Sequence, residues 1–160
     1  MITLRDVSTS DESIYEVWQN DSKLTGYLSR LYPNNCSVAG YDASKVCWFI
    51  IKENMHDIGS VWLERDRTEF DAMILGMFIS EEQYRGKGIG GDVIKEAIRI
   101  SKQRIVFRNV RLNVRKSNLG AIKCYEKCGF RIYCEGRKTA QDGTVIDFYQ
   151  MEMKVGEEVL

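Results

Sequence analysis

The chain has 160 residues, enough to bury a continuous core in one folded unit and too few for a second sizeable one. Its 23 basic and 23 acidic side chains cancel, so neither bulk nucleic acid nor an anionic membrane is indicated as a partner. No apolar run approaches the roughly 18–20 residues of a membrane span, and Met1-Ile-Thr-Leu-Arg-Asp6 lacks the basic and apolar regions of a secretion signal, so the expected location is the cytoplasm.

In chain order, Ile2–Val7 alternates like a first strand, and Ser10 or Asp11 can cap a helix through Ile14, Tyr15, Val17 and Trp18. A second short helix is expected over Ser22–Leu31, and the single proline, Pro33, falls in a loop. Lys45–Lys52 and Ile58–Glu64 read as strands joined by a turn at 53–57, and 69–80 as a longer third one. A helix-like run then begins at Gly91, with Ile94, Ala97, Ile98, Ser101 and Ile105 forming the apolar stripe of a helix packed on a sheet. Val110–Arg115 alternates as a half-buried strand. Ser117 or Asn118 offers an N-cap to a helix that ends at Gly129, a good C′ residue. Arg131–Lys138 and Thr144–Lys154 form a closing hairpin around Asp142-Gly143, a dipeptide suited to a type I′ turn. Exposed edges in this hairpin leave both a monomer and a homodimer open.

Five cysteines (Cys36, Cys47, Cys124, Cys128, Cys134) are an odd number without paired C-x-x-C knuckles, and reduced thiols with no bound metal are expected. His56, the only histidine, sits in a polar turn-like stretch and has no evident partner for base catalysis.

The most informative stretch is Arg85-Gly86-Lys87-Gly88-Ile89-Gly90, between an apolar strand and a helix start. The first amides of a helix lack intrahelical partners and carry partial positive charge, and glycines let a ligand approach them, so this is a phosphate cradle. A nucleotide P-loop needs G-x-x-x-x-G-K-[ST], and no Gly-Lys pair here is followed by Ser or Thr. Gly86, Gly88 and Gly91 satisfy G-x-G-x-x-G, with Arg115-Lys116 ending the next strand, yet the run follows some seventy residues of mixed structure and precedes one helix and a hairpin, unlike a dinucleotide-binding domain.

Tyr84-Arg-Gly-Lys-Gly-Ile-Gly90 meets the pattern [Q/R]-x-x-G-x-[G/A] through Arg85, Gly88 and Gly90. Asn118, Ala121, Tyr125, Gly129 and Phe130 meet a downstream N-x-x-A-x-x-x-Y-x-x-x-G-F. With the strand before them, these motifs resemble the GCN5-related N-acetyltransferase (GNAT) family over roughly 58–153. The resemblance implies a mixed α/β (α+β) fold: a central, mostly antiparallel twisted sheet of about seven strands flanked by about four helices. It implies one N-acetyltransferase domain over 1–160, with 1–57 as the acceptor-side half and 58–154 as the acetyl-CoA half. Met77, Phe78 and Ile79 would lend backbone groups to pantetheine, and the amides of Arg85, Gly86, Lys87, Gly88, Ile89 and Gly90 would wrap the pyrophosphate. Gly76 would mark a β-bulge where the strand splays from its neighbour. Asn118 would contact the pantetheine arm, and Tyr125 would protonate the departing CoA thiolate. At seven residues apart the two share one helix face, separated by about 10.5 Å along its axis.

The implied activity is acetyl transfer from acetyl-CoA to a primary amine, on a small molecule or a peptide, by direct attack without an acyl-cysteine and without metal. A non-catalytic acyl-CoA-binding module of the same fold is the alternative. Many family members carry a carboxylate inside the fourth strand, and Ala72–Ile79 has none, which leaves Glu64, Asp71 or a water relay as the base, with Glu69 also nearby. Trp18, Tyr27, Tyr32 and Tyr41 point to an aromatic-walled acceptor cleft, and helical core packing accounts for Trp18 equally well. The basic run Arg99, Lys102, Arg104, Arg108 and Arg111 is read as a solvated face, with no nucleic-acid partner.

Overall fold

The computed structural model describes residues 1–25, 28, 30–34 and 36–156. Seven strands form one sheet in the order β1-β2-β3-β4-β5-β7-β6. They are β1 (Ile2–Asp6), β2 (Val46–Glu53), β3 (His56–Arg65), β4 (Ala72–Ile79), β5 (Asn109–Arg115), β6 (Arg131–Thr139) and β7 (Val145–Lys154). Four α-helices accompany them among the described residues: α1 (Glu12–Gln19), α2 (Ser22–Thr25), α3 (Ile89–Lys102) and α4 (Leu119–Cys128). Neighbouring strands are antiparallel except β4 and β5. A parallel pair needs a long crossover, which the 80–88 loop and α3 supply.

The sheet separates two cores. On one face Val61, Leu63, Met73, Leu75, Leu112 and Met151 pack with Val93, Ile94, Ala97 and Ile98 of α3 and Ile122 of α4. On the other, Trp48, Ile50, Trp62 and Phe78 pack with Tyr15 and Trp18 of α1 and Leu24 of α2. Leu24 has no exposed surface, and burying it contributes about 1.5–3 kcal/mol to holding a four-residue helix that would not persist alone. Alternation along β2 and β3 therefore serves both cores, which is why these strands read as continuous apolar runs.

Local signals account for the helix ends. Asp11 is the N-cap of α1, and its buried carboxylate accepts from the Ser8 amide at 2.8 Å and from Arg5 at 2.7 and 2.8 Å. Burial opposes its charge, but the Arg5 and Ser8 hydrogen bonds outweigh that and hold the Asp11 carboxyl below its ordinary range. Asn118 caps α4 through Oδ1, which accepts from the Ala121 amide at 3.2 Å, and Gly129 ends that helix at φ 108°.

Several boundaries differ from the sequence reading. Of the expected helix over Ser22–Leu31, α2 covers Ser22–Thr25, residues 26, 27 and 29 lie outside the described residues, and Arg30, which donates to Glu64, and the buried Leu31 are not helical. Helix α3 starts at Ile89, inside the glycine run, and stops at Lys102, so Ile105 lies in the following turn. Asp142-Gly143 does not make a two-residue type I′ turn. The loop spans 140–144, with Gly143 donating to the Ala140 carbonyl, only Gly143 at positive φ, and Asp142 accepting from the Thr144 amide. His56 lies exposed at the start of β3, opposite Glu53. The basic run is dispersed within the chain: Arg99 pairs with Glu96, Arg104 with Asp6, Arg111 with Asp66, Glu69 and Glu152, and Lys102 donates to the carbonyls of Val155 and Gly156.

Candidate active site at the splay between two parallel strands

Strands β4 and β5 pair only through Ala72–Asn109, Met73–Val110 and Ile74–Arg111. Beyond that vertex β4 stays paired with β3 as far as Ile79, and β5 with β7 as far as Arg115. Two strand edges therefore face one another without a ladder between them, and unpaired backbone groups on such an edge are ready to pair with an extended, amide-bearing ligand. Side chains on the open length of β4 anchor it from both faces. Met77 packs on the α3 side, while Phe78 meets Trp18 edge-on at 5.0 Å on the other.

The glycine run sits where β4 ends. Gly86 and Gly88 have φ of 73° and 80°, and a Cβ at either would meet nothing within 4 Å. Glycine is needed there for the left-handed turn, not for space. Gly88 is the N-cap of α3, and the amides of residues 86–90 have no acceptor among the described residues, so they point an electropositive cradle outward. Arg85 departs from the expected pattern. Its amide already donates to the Glu82 carbonyl at 2.9 Å, and its guanidinium donates from Nε and Nη2 to the Ile79 carbonyl at 3.1 and 2.8 Å. Arg85 thus ties the cradle to the end of β4, occupying the Ile79 carbonyl, and the free amides begin at Gly86. Lys87 is exposed beside them.

Helix α4 meets the first turn of α3. A Cβ on Gly90 would lie 3.1 Å from Cys124 Sγ, and one on Gly91 3.6 Å from Cys128 Sγ. Burial raises both thiols above their ordinary pKa, which leaves them poor nucleophiles. Tyr125, between them in sequence, is half-buried against the α3/α4 core and edge-on to Phe130 at 5.9 Å. Burial pushes its phenol above the ordinary value, and its hydroxyl has no partner among the described residues. It is a protonated donor without an occupation. Asn118, seven residues earlier, spends Oδ1 on the helix cap and keeps its amide group.

On the opposite face Glu64 lies across from Ile74, the last β4 residue paired with β5. Its carboxylate accepts from Arg30 Nη1 at 2.9 Å and from the Asn34 amide at 2.8 Å, and it lines a cleft of ≈ 520 Å3 with Asn34, Asp42, Lys45 and Ile74. Asp71 lies below the vertex, where its carbonyl accepts from the amides of Arg108 and Asn109, and Glu69 faces Arg111 at 3.5 Å. The structure therefore separates Glu64 from the other two carboxylates. Among the described residues Trp18, Tyr32 and Tyr41 do not line one cleft. Trp18 is core, Tyr41 donates to Asp6 at 2.9 Å, Tyr32 borders a smaller cleft with Glu12 and Glu16, and Tyr27 lies outside the described residues. Trp62, which faces Gly76 across the β3/β4 ladder, carries no local sequence signal that sets it apart from a core aromatic. Gly76 is no bulge: β3 and β4 pair through it without a shift, and the strands slip instead at Ile51/Lys52 and Ile132/Cys134.

Comparison with known proteins gives this arrangement a family. Solved structures with the same fold include a spermidine N-acetyltransferase from Vibrio cholerae in complex with CoA and spermine (TM-score 0.77, 19% identity, 96% of this chain and 95% of that one). An aminoglycoside acetyltransferase in complex with coenzyme A aligns with TM-score 0.72 at 20% identity over 97% and 95% of the two chains. In sequence, the spermine/spermidine N(1)-acetyltransferase of Bacillus subtilis (strain 168) is 29% identical over 73 residues, a match spanning 46% of this chain and 40% of that enzyme. No described helix is long and apolar enough to cross a membrane. The acetyltransferase (GNAT) family model matches residues 8–130, and the chain belongs to that family.

Proposed function

We propose that this protein is a cytoplasmic, acetyl-CoA-dependent N-acetyltransferase acting on a primary amine of a small molecule or peptide. The observation that carries the reading is the open β4 edge running from a free-amide cradle at 86–90 to a vertex at Ile74. Acetyl-CoA combines a pyrophosphate with an amide-rich arm and fits the two features together. The amides of residues 86–90 hold its pyrophosphate, the backbone of Met77, Phe78 and Ile79 and the side-chain amide of Asn118 hold its arm, and Arg85 keeps the two in register. When bound, it supplies an activated acetyl thioester.

The chain's own groups then divide the proton work. Glu64, fixed by Arg30 and the Asn34 amide at the vertex, takes the proton of the incoming amine directly or through a water. Tyr125, on the other face, gives its phenolic proton to the sulfur that leaves, as a donor kept neutral by burial can. Residues 1–57 shape the acceptor side and 58–154 the acetyl-CoA side of one domain. The spermine and aminoglycoside complexes of the fold relatives make polyamines and amino sugars the first acceptors to assay.

Calorimetric titration with acetyl-CoA, CoA, NADP and ATP tests the cofactor. Binding of the two CoA species alone is expected, and absence of acetyl-CoA heat overturns the reading. Free-thiol release with a panel of amines tests the transfer. Binding without release from any amine makes the protein an acyl-CoA-binding module instead.

A further inference from the structure

Trp48, Trp62 and Gly76 form one lateral row across β2, β3 and β4, since Trp48 pairs with Trp62 and Trp62 with Gly76. The two indoles are equally buried, at 0% and 2% exposure, and differently satisfied. Trp48 Nε1 donates to Tyr15 Oη at 2.9 Å and to Ser60 Oγ at 3.0 Å. Trp62 Nε1 has no hydrogen-bond partner among the described residues. A buried donor left unmade is rare in folded proteins and carries an uncompensated desolvation penalty, so it calls for an explanation.

Gly76 shows where that donor lies. A Cβ there would overlap Cε2 and Cζ2 of Trp62 and lie 2.6 Å from Nε1, so the polar edge of the indole rests on the β4 backbone at a position only glycine permits. Gly76 is two residues past Ile74, on the open side of the vertex, where β5 no longer covers β4. The indole therefore reaches from β3 over the β4 backbone, beside the edge that the proposed ligand follows and on the face opposite Tyr125.

We propose that Trp62 Nε1–H is a hydrogen-bond donor to the carbonyl oxygen of the acyl group bound at the vertex. This rests on the acetyl-CoA reading. With the pyrophosphate held at 86–90 beyond Ile79, the arm runs back along β4 and its acyl end arrives beside Gly76. An indole donates and does not accept, so it matches an oxygen and not an ammonium group. As the amine nitrogen bonds to the carbonyl carbon, the C=O electron pair moves onto that oxygen, and a fixed donor on a buried ring stabilises it. The pair returns as the C–S bond breaks, and the sulfur takes its electrons and the proton of Tyr125.

The three tryptophans give three indole N–H signals in a 15N–1H spectrum, assignable in the wild-type protein through their own rings. Titration with acetyl-CoA is expected to move the Trp62 signal downfield, while CoA and S-ethyl-CoA, which lack the carbonyl oxygen, leave it nearly in place. All three ligands should move the Gly88 and Ile89 amides. If those amides respond and the indole does not distinguish acetyl-CoA from S-ethyl-CoA, the proposal is overturned and the cofactor reading stands. If the amides do not respond either, both fall. Trp62→Phe keeps the ring and removes the donor; it is expected to lower kcat about 10–100-fold with little change in KM for acetyl-CoA. An unchanged kcat in folded Trp62→Phe also overturns the proposal.

Discussion

On the α3/α4 face of the splay, the groups proposed to hold and protonate the cofactor come from two short stretches, 77–90 and 118–125. On the α1/α2 face, the groups around the same vertex come from separated points: Arg30, Asn34, Trp62, Glu64 and Gly76. The first face is a helix N-terminus and a helix side, so its geometry follows from local backbone rules wherever the motif occurs. The second is a set of long-range meetings across two strands and a loop. The first face is accordingly expected to set which cofactor binds, and the second how the acceptor is met.

Breaking the first face should have the largest effect. Gly88→Val puts a β-branched residue at φ 80° on the N-cap of α3 and is expected to weaken acetyl-CoA binding on the order of 100-fold or more by calorimetry, equivalent to about 3 kcal/mol. Tyr125→Phe leaves the cradle intact and should lower kcat by about 100-fold or more, within the range of general acid–base catalysis, while the Kd for CoA stays within about threefold. Because burial raises the Tyr125 phenol, the wild-type rate should show no alkaline decline from this group below its ordinary value of about 10.

Breaking the second face should spare the cofactor. Glu64→Gln is expected to reduce turnover by about 10–100-fold with CoA binding unchanged. A matching loss of CoA affinity would show that the two faces are not separable. The smallest effect is on stability. Asp11→Asn removes the charge that fastens α1 to Arg5 and Ser8 and should cost about 1–2 kcal/mol at pH 7, read by denaturant unfolding. The sign is that of a carboxyl lowered by folding. Its contribution is complete above the unfolded value near 3.9 and fades as pH falls toward the folded one, so wild-type and variant should converge in acid.

Much of the cofactor face was legible in the chain because its signals are local. A positive-φ glycine pair before an amphipathic run predicts a free-amide helix start, and Asn118 and Gly129 mark both ends of α4. Arg85 is the exception: its amide, expected among the free ones, donates to the Glu82 carbonyl and its guanidinium to the Ile79 carbonyl, both set by the path of the loop. On the α1/α2 face Trp18 follows the core-packing alternative and Tyr41 is tied to Asp6, while nothing local distinguishes Trp62 from them. Aromatic letters do not disclose whether a ring fills a core or lends a polar atom to a site.

Residue order alone was enough for the seven strands, the helix stripes and the glycine-rich helix start, because each depends on backbone geometry and on side-chain periods of two or 3.6 residues. The separation of β4 from β5 after Ile74, the place of Glu64 at that vertex and the unpartnered indole over Gly76 depend instead on strand register. Register is settled when both apolar faces of the sheet are buried at once, and no local stretch of the chain contains that information.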